Sequence, residues 1–397
     1  MTGISTLGQA LRQIEHLNSQ QILFSKLSGQ LATGKKTQFY SGLGTDALTS
    51  VRSRTEISSI SVYMENITRA DTTIALTLTS ISEFQEQSRN FSSTLIGLVQ
   101  QGSHQTGQDV RYDDPATTEI EDTIFGNTSA NVDADLKAVF DHAENLFGFL
   151  GELLNTQEGD RYLLAGADSS QKPFSDTGTL EASLNTLIVS WKNGTITTDE
   201  LIADITDGTA LAGNPNALTD SVIGFSSSLS NETAGNVFVR VDDNSEFKYT
   251  TLANENSLRN MMVALAVMKN DNLPPVVDVY ENGVYPGVVD ANGAPGGTAE
   301  EQQANFYQLF DAMVKIVSES IDEVDQIRFR METVRAQMNE TKQSHVNQKN
   351  LLLNTVSSVE DVDANEVSVR LITLQTQLEA SYSVTALTQG LSLVRFL

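Results

Sequence analysis

The chain contains no cysteine in 397 residues, so neither a disulfide framework nor a thiolate metal site is available to it. It has only 7 prolines and one tryptophan, and no apolar run approaches the ~20 residues needed to cross a bilayer. Basic residues are scarce as well: 25 Lys and Arg stand against 51 Asp and Glu, a formal charge of −26. Phosphate binding needs a basic face, so this balance argues against a nucleic-acid partner, and the hydropathy argues against a membrane one. Met1 to Gln20 has no basic cluster followed by an apolar core, which excludes an ordinary secretory signal peptide in that stretch.

The charge imbalance is local. Residues 1–100 carry seven acidic and eight basic side chains, residues 301–397 carry thirteen and eight, and residues 101–300 carry 31 and 9. The solvating, repulsive charge therefore sits in the middle of the chain. Ends that are nearly neutral can pack against copies of themselves at small electrostatic cost.

Glycine and proline are also missing from one long stretch, Thr298 to Gln389. Counting alternately four and three from Phe306 gives Phe310, Met313, Val317, Ser320, Val324, Ile327, Met331, Val334, Met338, Thr341, His345, Gln348 and Leu352, mostly apolar. Such spacing keeps one stripe on one side of a helix, which a long helix cannot bury against itself. A single rod of that length would run roughly 140 Å. The pattern predicts two helices instead: one from about Ala299 to Val356, a break near Val359 to Asp363, and a second to the terminus.

The other end is similarly periodic. Positions 7, 10, 14, 17, 21, 24, 28 and 31 are apolar at six of eight, and Gly34, Gly42 and Gly44 then punctuate a stop. Ile60, Met64, Ile67, Asp71, Ile74, Leu78 and Ile81 mark a second long helix between Thr45 and Ile96. Turn-rich sequence follows to Ala130, then a helix about Asp133 to Thr156, a strand-and-turn at Arg161 to Gly166, and Pro173-Phe174. Ser175 to Ala234 is less periodic and holds Trp191. Asn236 to Thr251 alternates as a β-hairpin does, and Leu258 to Met268 is a compact apolar helix.

The expected fold is mainly α, with long N- and C-terminal helices packed as a coiled coil or bundle and a small mixed α+β middle region projecting from them. The expected segments are 1–44, an N-terminal axial helix; 45–174, the N-terminal part of a helical shell with its hairpin; 175–234, an inserted outer domain; 235–297, a strand and helix return; 298–356, the C-terminal part of the shell; and 357–397, a C-terminal axial helix. The apolar stripes nominate Leu7, Ile14, Leu17, Phe24, Leu31, Leu371, Leu374, Leu378, Leu387, Leu391, Val394 and Leu397 as a subunit interface. The C-terminal set changes phase between Leu378 and Val384 and, with Tyr382, presents apolar residues on more than one face. A soluble monomer would expose some of these, and polymerisation would bury them.

Chemistry-bearing motifs resolve to structural ones. Glu360-Asp361-Val-Asp363-Ala-Asn365-Glu366 resembles the opening of a calcium loop, but Glu366 and Ile372 occupy positions that need glycine and a carboxylate. Asp361 or Asp363 is expected instead to cap the helix that starts near Ala364. Gly29 to Lys35 fits a phosphate loop except that Lys36 replaces the magnesium-holding Ser or Thr, and it follows a helix rather than a strand. His16, His104, His142 and His345 lie in no metal-ligand spacing. No catalytic, cofactor or metal residue is nominated, and no enzyme activity or cofactor is expected.

Three passages carry a family resemblance. Leu27-Ser-Gly-Gln-Leu-Ala-Thr-Gly-Lys35 resembles the LSSGLR stretch near the start of flagellins and hook-associated protein 3. Asp361-Val-Asp-Ala-Asn-Glu366 resembles the EDADYAE entry to their final helix, and Ala380 to Leu397 their C-terminus. Within that family, Gly159-Asp-Arg-Tyr-Leu-Leu-Ala-Gly166 followed by Lys172-Pro-Phe174 is similar to the hairpin of the hook–filament junction branch. The resemblance implies a structural protein of the bacterial flagellum, extracellular and exported through the flagellar type III apparatus without a cleaved signal peptide. It further implies terminal helices in an inner tube and a homo-oligomeric ring between hook-associated protein 1 and flagellin, with a flagellar export chaperone as a further partner. A filament flagellin and a non-flagellar coiled-coil scaffold are the alternatives.

Overall fold

The computed structural model describes residues 3–103, 129–192, 195–206, 217–270, 273 and 299–394. It is mainly α-helical. Ten helices and two small hairpins appear among those residues: α1 (Gly3–Thr33), α2 (Asp46–Ser103), α3 (Ser129–Leu154), β1 (Gln157–Glu158), β2 (Arg161–Tyr162), α4 (Thr179–Lys192), α5 (Thr198–Thr206), α6 (Asp220–Ile223), α7 (Ser227–Ser230), β3 (Phe238–Arg240), β4 (Glu246–Lys248), α8 (Asn256–Met268), α9 (Ala299–Glu360) and α10 (Ala364–Val394). The chain forms two compact units, Met1–Glu65 with Thr341–Leu397, and Asn66–Glu340. Helices α2 and α9 each contribute to both.

The middle unit has the larger core. Helix α8 is apolar nearly all round, and eleven of its thirteen residues are buried, as a helix without a polar face must be. The heptad stripe of α9 meets this core through Phe310, Met313, Val317, Val324, Ile327, Met331 and Met338, all buried. Asp71, the one charged member of the α2 stripe, is held by Arg335 of α9 with Nε–Oδ1 at 2.6 Å, so the polar interruption has a partner. Helix α2 runs through Gly97 to Ser103, seven residues past the expected stop at Ile96. A lone glycine costs a helix about 1 kcal/mol relative to alanine, too little to end one packed through Phe91 and Leu95.

The Ser175–Ala234 segment, without clear periodicity in sequence, contains the short helices α4 to α7 around Trp191. That indole is fully buried and donates Nε1–H to Thr198 Oγ1 at 3.0 Å. Helix α4 buries Leu180, Leu184, Leu187, Ile188 and Trp191, and α5 buries Thr198, Leu201 and Ile205, each along one face. The two hairpins pair as β1–β2 and β3–β4, both antiparallel. The expected strand from Arg161 is only two residues long, because the chain turns at once so that Phe174 can enter the core.

Phe174 is pinned by Asn155, whose side chain donates Nδ2–H to the Phe174 carbonyl and accepts the Phe174 amide through Oδ1, both at 3.0 Å. Its ring meets Phe147 and Phe225 edge-on at 5.8 Å. Gly166 stands nearby in the left-handed region (φ 68°), where an added Cβ would lie 2.7 Å from the Gly235 carbonyl oxygen. Gly166→Ala is therefore expected to destabilise this unit by more than about 1 kcal/mol. Urea denaturation followed at Trp191 reads that loss, and an unchanged midpoint would contradict the tight approach.

A buried ion pair closes the middle unit. Arg259, with its side chain 4% exposed, donates Nε–H to Asp220 Oδ1 at 3.2 Å, and Asn254 Nδ2 donates to Asp220 Oδ2 at 2.7 Å. The same guanidinium also donates to the Leu218 carbonyl and to Asn260 Oδ1. A buried guanidinium is tolerable only because its donors are filled in this way.

Candidate assembly interface

In the terminal unit the two chain ends pack on each other. Leu27 of α1 and Val367, Leu374 and Leu378 of α10 are buried together, with Leu17, Phe24, Val362 and Leu371 partly buried against them. At about 100° per residue, Leu17, Gln20, Phe24 and Leu27 share one face of α1. The buried phase thus runs through Gln20 and Leu27, where the sequence reading placed Gln21 and Ser28. Gln20 Oε1 accepts from Ser381 Oγ at 3.4 Å, and Gln21 Nε2 donates to Tyr382 Oη at 2.6 Å. Glutamine at the seam is satisfied across it.

The nominated interface residues fall into three groups. Leu17, Phe24, Leu371, Leu374 and Leu378 belong to the α1–α10 seam. Ile14, Leu31 and Leu387 are exposed, at 55, 41 and 66%. Leu7, Leu391 and Val394 lie in helices, but the description does not extend to their side chains, and Leu397 lies outside the described residues.

Both helices carry a second apolar face. On α1, Leu11 and Ile22 lie roughly opposite the seam and Ile14 about 100° from it, and on α10, Val369, Ile372, Val384 and Leu387 cluster on the side away from it. Of the 22 large apolar side chains that are exposed among the described residues, 17 lie in the terminal unit, although that unit is less than half the size of the middle one. A helix apolar on two opposite faces buries both only when sandwiched.

The breaks in the two chain ends lie side by side. Gly34 takes a left-handed conformation (φ 69°) and accepts the Val362 amide at 3.0 Å, Lys35 and Asp361 form an antiparallel bridge, and Lys36 N donates to the Glu360 carbonyl at 2.7 Å. Lys36 Nζ also takes the carbonyls of Ser358 and Val359 at 2.8 and 2.9 Å, filling acceptors left open at the end of α9. Asp363 Oδ1 accepts the amides of Asn365 and Glu366 at 2.8 and 3.3 Å, which is an N-cap for α10. Asp361 is engaged otherwise, with Lys35 Nζ and with Ser357 Oγ at 2.6 Å.

Glu360 is the centre of this joint. Arg54 donates Nε–H and Nη2–H to its two oxygens at 2.7 and 2.6 Å, Lys35 Nζ stands 3.3 Å away, and Ser50 Oγ donates as well. Chiefly the Arg54 guanidinium, with Ser50 and Lys35 adding and burial opposing, lowers the Glu360 pKa from 4.5 to about 2. Sequence reasoning missed Glu360, Arg54 and Ser50 as a group. The signal was present in two lysines directly after one helix stop and two acidic residues directly at the other.

A carboxylate depressed in the folded state contributes stability above its unfolded value and loses it as pH falls through the folded one. For Glu360 that window is pH 4.5 to about 2, and the loss amounts to about 3 kcal/mol. Acid titration followed by circular dichroism should show the terminal helices weakening across that window in the native chain. Glu360→Gln should remove most of that slope, and an identical acid profile in the variant would contradict it.

These features define a class: an α-helical protein whose chain ends meet and whose meeting helices carry spare apolar faces. Residues 314–397 match the family model of the bacterial flagellin C-terminal helical region. No curated protein matches the chain. Among solved structures, a protein from Vibrio parahaemolyticus provisionally assigned as a flagellar hook-associated protein aligns at 10% identity with a TM-score of 0.40, covering 79% of this chain and 97% of its own.

Proposed function

We propose that the chain is a non-enzymatic structural protein of the bacterial flagellum that polymerises through its terminal unit. The observation that carries the reading is the second apolar face of α1 and α10, of which α10 lies in the stretch that matches the flagellin C-terminal helical region. Under this reading Ile14, Leu31 and Leu387 contact neighbouring subunits, and Leu7, Leu391, Val394 and Leu397 extend the same surface. Leu17, Phe24, Leu371, Leu374 and Leu378 hold the α1–α10 pair that presents it. Segments 1–44 and 357–397 would form an inner tube, 45–174 and 298–356 a surrounding shell, and the acidic segments between them an outer surface that keeps the assembly soluble.

Its place is the hook–filament junction, as a ring between hook-associated protein 1 and flagellin, reached outside the cell by flagellar export with the help of an export chaperone. The Gly159 to Gly166 hairpin with Lys172 to Phe174 supports that placement, because these residues resemble the junction branch and here carry Leu164, Ala165 and Phe174 into the core. The flagellin match equally suits a filament subunit. Immunogold labelling of intact flagella separates the two: one band next to the hook is the expected result. Label along the whole filament would replace the junction reading with the filament one, and no label on flagella would overturn both.

A further inference from the structure

Each long arm of the terminal unit is interrupted once, and the interruptions lie at the same level. A break in one helix alone would be splinted by its neighbour, whereas two adjacent breaks make a joint. On one side of it, α1 and α10 cohere through their own apolar cluster. On the other, the adjoining stretches of α2 and α9 cohere through buried Ile60 and Val356, the Tyr63–His345 ring stack at 6.0 Å, and hydrogen bonds from Lys349 to Ser61 and from Gln348 to Glu56. Between the two pairs, residues 34–45 include no buried side chain. The joint is held largely by polar bonds, with Val362 packing on the α1–α10 cluster, and four of those bonds end on one carboxylate.

We propose that Glu360 is the latch of a hinge at residues 34–36 and 360–363, fixing the angle between the α1–α10 pair and the adjoining α2–α9 pair. Its oxygens tie Lys35 after α1 and Ser50 and Arg54 at the start of α2 to the last residue of α9. Charge-assisted and bidentate bonds of this kind are directional, so they set an angle as well as a distance. The backbone bonds from Lys36 to Glu360 and from Val362 to Gly34, with the Lys35–Asp361 pair and the Lys36 Nζ bonds to the Ser358 and Val359 carbonyls, remain when the side chain is neutralised and act as the pin about which the pairs swing. Hinges of this type place the change in a few residues at element ends. A subunit with such a hinge can adopt more than one arm angle without refolding either pair, whatever assembly it serves.

The absence of native cysteine makes the test direct. Spin labels at Ser25→Cys and Ser59→Cys in the full chain report the distance across the joint, and labels at Ser25→Cys and Gln377→Cys report the distance within the α1–α10 pair. All three positions are exposed. Adding Glu360→Gln is expected to widen the across-joint distribution at least twofold, leave the within-pair distribution and the helix signal at neutral pH unchanged, and Glu360→Asp should restore part of the narrowing. The proposal is overturned if the across-joint width is the same with and without Glu360→Gln, including the case where both are broad. It is equally overturned if the within-pair distribution widens as much, since Glu360 would then merely support the packing of α1 on α10.

Discussion

Substituting Ile22→Glu and Ile372→Glu together is expected to abolish self-assembly of the purified chain while leaving its thermal midpoint within a few degrees of the parent. Both side chains lie on the faces turned away from the α1–α10 seam, at 70 and 63% exposure, so carboxylates there meet water in the free chain and cost the fold little. In an assembly the same positions would be sandwiched, and a buried unpaired carboxylate costs several kcal/mol at each contact. Repeated in every subunit, that cost stops growth outright. Analytical ultracentrifugation at rising protein concentration reads the result, and unaltered polymers from the double variant would contradict the assembly role of these faces. Substituting the seam residue Leu374→Glu should instead unravel the α1–α10 pair, a distinction visible in the helix signal.

The second large effect lies in the middle unit. Asp220→Ala removes the Asp220 carboxylate from the buried Arg259 guanidinium, and breaking such a pair typically costs about 3 to 5 kcal/mol. Asn254 loses its acceptor on the same oxygens, which adds to the loss. In a unit of this size each kcal/mol lowers the melting temperature by about 2 to 4 °C. Calorimetry should therefore show the middle unit melting about 10 °C earlier, with the transition of the terminal unit unmoved. Replacing both partners, Asp220→Leu with Arg259→Met, should recover part of the loss because no charge is then stranded. A single-variant shift of only a degree or two would show that the pair is effectively solvated.

Regular burial was legible in the sequence, and pairing between distant residues was not. The α9 stripe from Phe310 to His345 is buried almost position by position, because one long seam imposes one period over many turns. Of the polar members of that stripe, Ser320 and His345 are buried and Thr341 is partly buried. On α1 the phase slipped by one residue, since an apolar count cannot know that Gln20 is satisfied by Ser381 across the seam. The second apolar face of α10 showed itself as a phase change after Leu378. What it faces is not written in any one helix.

The joint was hidden for a different reason. Glu360 meets Ser50 across 310 residues and Arg54 across 306, and nothing local distinguishes a glutamate that ends a helix in water from one that gathers four donors. Local pattern put a break near Val359 to Asp363 with Asp361 or Asp363 as the cap; in the structure α9 ends at Glu360, α10 starts at Ala364, and Asp363 Oδ1 takes the Asn365 and Glu366 amides. Helices α4 to α7 were missed by reading the segment as aperiodic, although α4 carries one buried stripe from Leu180 to Trp191 and α5 one from Thr198 to Ile205; α6 and α7, at four residues each, are too short to show a period.

Thiol labelling of a single engineered cysteine reads whether assembly covers the outward face of α10, since the chain supplies no background thiol. With Ile372→Cys on the outward face of α10 and Asp243→Cys on the exposed β3–β4 turn as reference, maleimide reactivity is compared before and after assembly. Ile372→Cys is expected to become at least tenfold less reactive in the polymer while Asp243→Cys is unchanged. Equal reactivity of Ile372→Cys in free and assembled chains would contradict that coverage.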